Sequence, residues 1–180
     1  MKNNNRIIVP FLFILFFYSC SDDIDKDNIS SYDNFSLVDI NPNSDFYGQT
    51  IGLSYFNGQA SSYYFGDQGW GLCQNRFGSL HILYSDLLNE GYANIKIIGI
   101  NGINAVNDDL SGMLLNNSLP WLQDNNTEDV WNSWGVKIRD LIIFDRNGEY
   151  YTKINLTQID LALEQNYNDI KNLLINALDQ

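Results

Sequence analysis

Residues 61–73 read Ser61-Ser-Tyr-Tyr-Phe-Gly-Asp-Gln-Gly-Trp-Gly-Leu-Cys73. Tyr63, Tyr64 and Phe65 favour a strand, because aromatic side chains pack well on a pleated surface. Gly66, Gly69 and Gly71 interrupt it, so residues 66–72 read as a glycine-rich loop. From Cys73 onward, Phe77, Leu80, His81, Tyr84, Leu87 and Leu88 recur at steps of three and four. That spacing predicts a helix with one buried face, running to about Asn89 and stopping at Gly91. Strand, loop and helix follow one another, with a thiol at the start of the helix.

Downstream, the apolar run Ile95–Ile100 reads as a buried strand. Residues 104–116 predict a helix with Val106, Leu110, Met113 and Leu114 on one side. Trp121-Leu122 reads as a short strand, and residues 127–134 as a short helix capped by Thr127. Asp140–Phe144 is a strand, Asp145-Arg-Asn-Gly148 a tight turn, and residues 149–154 the hairpin partner. An amphipathic helix over 159–178, capped by Thr157, closes the chain. Upstream, Thr50–Phe56 reads as a strand ending at the turn Asn57-Gly58. This alternation predicts an α/β domain over residues 35–180, with a central mixed β-sheet and helices on both faces.

The first residues read as an address. Lys2 and Arg6 precede the twelve-residue apolar run Ile7–Tyr18, which is too short to span a bilayer but suits a secretory signal. The run ends at Phe17-Tyr18-Ser19-Cys20, and polarity flips at once to Ser21-Asp22-Asp23. This resembles a bacterial lipoprotein signal over residues 1–19, which implies a lipid on Cys20 and a membrane contact through that anchor. Residues 20–34 then form an acidic tether. The expected location is outside the cytoplasm, on the periplasmic face or cell surface of a bacterial outer membrane. Similar acidic leaders accompany surface export in bacteria related to Bacteroides and Flavobacterium.

Composition narrows the chemistry. A net charge of −12 over 180 residues argues against nucleic acid, which needs a basic footprint. Removal of the leader leaves eight basic and 22 acidic side chains, or −14. A single histidine, His81, and two cysteines, Cys20 and Cys73, rule out a Cys/His zinc site. The acidic residues lack metal-loop spacing, and no cofactor is assigned. His81 reads as a half-buried helix residue, and Trp121, Trp131 and Trp134 as core.

Several segments in order carry a resemblance. Trp70-Gly-Leu-Cys73 opens the helix, and Asn89-Glu-Gly-Tyr-Ala-Asn-Ile95 closes it. Ser118-Leu-Pro-Trp-Leu-Gln123 precedes Thr127-Glu-Asp-Val-Trp131, and Asp140-Leu-Ile-Ile-Phe-Asp-Arg-Asn-Gly148 follows. Over residues 35–156 the chain resembles the N-terminal domain of selenoprotein P, a thioredoxin-like family. Phe35-Ser-Leu-Val-Asp39 is also similar to the start of membrane-anchored bacterial thioredoxin-like proteins. The resemblance implies thiol or selenol redox, with a thiol, disulfide or peroxide substrate. The family's attacking selenocysteine or cysteine falls on Trp70 and its resolving cysteine on Cys73. The thioredoxin cis-proline falls on Arg139, and Pro120 lies in another segment.

Thiol exchange needs an attacking residue that forms a mixed disulfide and a second that resolves it. Indole forms no such bond, so three readings stand. The domain is a catalytically degenerate binding module with Trp70 as an aromatic contact. Alternatively, Cys73 acts alone on thiols or peroxides, against the reading of Cys73 as a small buried hydrophobe. The third reading takes position 70 as selenocysteine, since its codon, UGA, is read as tryptophan in some translation tables.

Overall fold

The computed structural model describes residues 32–180. The leader at 1–19, Cys20 and the tether up to residue 31 lie outside the described residues. Among the described residues there are seven strands: β1 (Leu37–Val38), β2 (Thr50–Ile51), β3 (Ala60–Gly66), β4 (Ile95–Asn101), β5 (Trp121–Gln123), β6 (Asp140–Phe144) and β7 (Tyr150–Asn155). Four helices accompany them: α1 (Gly71–Asn89), α2 (Ser111–Leu114), α3 (Val130–Ser133) and α4 (Glu164–Leu178). The main sheet has the order β5-β4-β3-β6-β7. β3 is central, parallel to β4 and antiparallel to β6, so the sheet is mixed as expected. Every residue of β3 is buried, which explains its unbroken aromatic and small side chains.

Each face of the sheet carries its own core. Tyr64, Ile97, Leu141 and Ile143 meet Phe77, Leu80 and Leu83 of α1 and Ile170 and Leu174 of α4. The other face, with Tyr63, Phe65, Ile98, Ile142 and Phe144, is covered by Phe35, Leu37, Ile51, Phe56 and Val130. Helices thus lie on both faces, but the second face relies mainly on the N-terminal segment and the short α3. Trp121 lies against Gly99, where a Cβ would stand 2.1 Å from the indole, so only glycine fits beneath the ring. Tyr32 already packs within this domain, with its ring 5.3 Å from Tyr150 and 4.9 Å from Trp134.

Several local expectations are corrected. Residues 50–56 do not form one strand: β2 ends at Ile51, and Leu53–Phe56 coil into a 3-10 turn. Gly52 approaches the Phe35 carbonyl, and the turn brings Phe56 back into the core. The helix expected over 104–116 shrinks to a 3-10 turn at Ile103–Ala105 and to α2. Asp109 accepts hydrogen bonds from the Ser111 backbone and hydroxyl and leaves Val106 52% exposed outside any helix.

Two helices begin later than their sequence spacing predicts. α3 starts at Val130 rather than Thr127, because the Asp124 carboxylate accepts from the Val130 and Trp131 amides. α4 starts at Glu164 rather than Ile159. Thr157 does not cap it, since its hydroxyl accepts instead from Arg139 Nε at 3.0 Å.

Candidate functional site

The site lies where β3 gives way to α1. Gln68, only 2% exposed, pins the connecting loop: its amide donates to Asn101 Oδ1 and its Nε2 to the Asp108 carbonyl. Gln74 Nε2 donates to the Gln68 carbonyl, which ties the loop to the first turn of the helix. No local pattern marks this role, because Gln68 lies among glycines and reads only as loop.

Trp70 is the N-cap of α1 in extended conformation, and its side chain is 58% exposed. Its carbonyl accepts the Gln74 amide, so the helix begins immediately after it. Cys73 lies one turn in and is fully buried. Residue 70 is presented at the helix start and residue 73 is enclosed below it. A thiol in that setting has no path to an outside electrophile in this conformation.

Arg139 completes the arrangement. It occupies the turn before β6 with φ at +69°, and no peptide bond among the described residues is cis. Its amide donates to the Phe65 carbonyl at 2.6 Å and its carbonyl accepts the Leu156 amide. Its guanidinium, on a residue only 8% exposed, donates to Cys73 Sγ at 3.5 Å and to Thr157. Arg76, also buried, bonds the Leu156 carbonyl and pairs with Asp160. Tyr64 donates to the Cys73 carbonyl at 3.3 Å. Burial first, then the nearby Cys73, pushes the Tyr64 hydroxyl far above its ordinary value, so it remains a neutral donor. Sequence reasoning placed Arg139 as a departure from proline but missed its contact with the sulfur, 66 residues away.

The remaining aromatic and histidine residues are accounted for by packing. Trp121 and Trp134 are core residues on opposite faces of the sheet, and Trp131 packs partly buried against the core that holds Trp134. His81 is half-buried, with Nε2 3.1 Å from the Ser118 hydroxyl. Among the described residues, no group of three His, Cys, Asp or Glu is placed to hold a metal ion.

No family model matches the chain, and no curated protein matches it in sequence. Solved structures do match in shape. A protein described as thiol:disulfide interchange protein DsbE from Chlorobium tepidum superposes with a TM-score of 0.63 at 14% identity, covering 82% of this chain and 94% of that one. The thioredoxin domain of a thiol-disulfide oxidoreductase from Bacteroides vulgatus gives 0.60 at 16% identity, covering 79% and 94%. A secreted disulfide oxidoreductase from Mycobacterium tuberculosis gives 0.57 at 14%, covering 79% and 95%. With its five-stranded mixed sheet and helices on both faces, the domain therefore has a thioredoxin-like fold.

Proposed function

We propose that this is a lipid-anchored, extracytoplasmic thioredoxin-like protein that binds partners at the start of α1 and does not run dithiol exchange there. One observation carries the reading: the residue presented at the helix start is an exposed indole, while Cys73 is fully buried with its sulfur against Arg139. An exposed tryptophan on a rigid loop is a strong contact residue at low entropic cost. The lipoprotein-like leader and the secreted oxidoreductase among the structural neighbours support the extracytoplasmic location. An insulin-disulfide reduction assay tests the chemistry. Wild type and Cys73→Ser are expected to show equal, background rates. Turnover that disappears in Cys73→Ser overturns the binding reading.

A second reading keeps the redox chemistry of the selenoprotein P-like family. It is favoured by the placement of residue 70 at an exposed helix N-terminus, where unpaired amides stabilise a selenolate. In that reading position 70 is selenocysteine, and a selenol–thiol pair reduces disulfides or peroxides. A UGG codon, or a natural protein mass without selenium, removes it.

A further inference from the structure

The loop that carries Trp70 also borders a cleft of about 210 Å³. Asp67, on that loop, and Asp129, at the start of α3, place carboxylates at its edge. Asn104 and Asn132 add carboxamides, Trp131 and Ile138 supply apolar walls, and among the described residues no basic side chain lines it. The Trp131 wall is fixed, since its ring packs edge-on to Phe65 at 5.6 Å and over Gly102. Among the described residues, the Asp67 carboxylate accepts only the Gly69 amide, and that of Asp129 only Asn132 Nδ2. The ion pairs among the described residues are Arg76–Asp160 and Lys171–Glu90, so neither cleft carboxylate is neutralised. Two such charges in a concave, partly apolar site focus a negative potential on its interior.

We propose that the cleft receives a basic side chain of a partner protein, arginine ahead of lysine. This rests on the binding reading above and gives the partner's chemistry. The Trp70 amide donates to the Asp67 carbonyl at 3.2 Å, so the exposed indole adjoins the edge of the cleft and one docked segment can reach both. A guanidinium satisfies the lining better than an ammonium. Its plane stacks on an indole, and its five donors serve carboxylates and carboxamides at once.

The test is a titration of the isotope-labelled mature chain in detergent micelles, followed by NMR. The probes are Nα-acetyl-arginine methylamide and its uncharged citrulline counterpart. The arginine compound is expected to shift the Trp131 indole and the Asn104 and Asn132 amide signals saturably, with a Kd on the order of 1 mM. Citrulline, and separately the Asp67→Asn/Asp129→Asn variant, are each expected to weaken binding about tenfold. Asparagine keeps the Gly69 contact and tolerates the left-handed backbone at Asp129, so the variant's spectrum should remain that of the folded domain. Equal shifts from both compounds, unchanged binding by the variant, or no shift at all overturns the assignment. Such a result leaves the insulin assay untouched, so the cleft and the binding reading fail separately.

Discussion

The Arg139 guanidinium lies 3.5 Å from Cys73 Sγ, so a residue of the turn before β6 covers the buried thiol at the start of α1. That turn thus holds a cation with φ at +69° that bridges the start of α1 to Thr157.

A proline at this place is therefore expected to be harmful. Proline fixes φ near −65° and has no amide to give the Phe65 carbonyl. Arg139→Pro should lose at least about 3 kcal/mol in urea unfolding. Arg139→Gly loses two side-chain hydrogen bonds but relieves the left-handed strain, for a net cost of about 1–2 kcal/mol. Proline tolerated as well as glycine would show that the Arg139 backbone is not held as described.

Gly99 gives a second stability test. A methyl group there meets Trp121 at 2.1 Å and Phe77 at 2.8 Å, and both rings are buried. Gly99→Ala should cost about 2–3 kcal/mol by overpacking. A midpoint equal to wild type would mean that the indole can move.

The pH dependence of folding should carry the mark of Asp39. Burial outweighs the hydrogen bonding from the Ser44 hydroxyl and the Asn41 and Trp121 amides and raises its carboxyl above the ordinary 3.8. The folded state thus holds the proton more tightly than the unfolded one. The stability this contributes is complete below 3.8 and is lost as pH rises through the raised native value. Asp39→Asn removes this loss, so the gap between variant and wild type should move in the variant's favour as pH rises. A gap that does not change with pH contradicts this sign.

Much of this architecture was legible because hydrophobic period decides long, buried elements. β3, β4, β6 and α1 follow from runs such as Ile95–Ile100 and from the spacing of Phe77, Leu80, Tyr84 and Leu87. Short elements were decided by distant polar partners that no local pattern reveals. Thr157 has the chemistry of a cap, but Arg139 engages it, and Asp160 spends its carboxylate on Arg76 and the Ala162 amide. Asp124 acts on α3 across six residues of loop. Trp70 and Cys73 were identified from the resemblance, whereas the contact that covers the thiol needed the folded chain.

Membrane attachment is tested at the other end of the sequence. Cys20→Ala is expected to move the protein from the membrane fraction to the soluble extracytoplasmic fraction. Unchanged partition after carbonate washing would exclude a lipid on Cys20 as the anchor.

The stacking of Tyr32 on Tyr150 has a mechanical consequence. Ser61, at the beginning of β3, pairs with Phe144, which in turn pairs with Tyr150, while Trp70 follows the far end of β3. A pull on the chain ahead of Tyr32 thus loads the aromatic cluster at one end of the sheet, and the length of β3, about 20 Å, separates that load from the indole. Tension would peel Tyr32 and Phe35 from the second face before it disturbed the junction of β3 and α1.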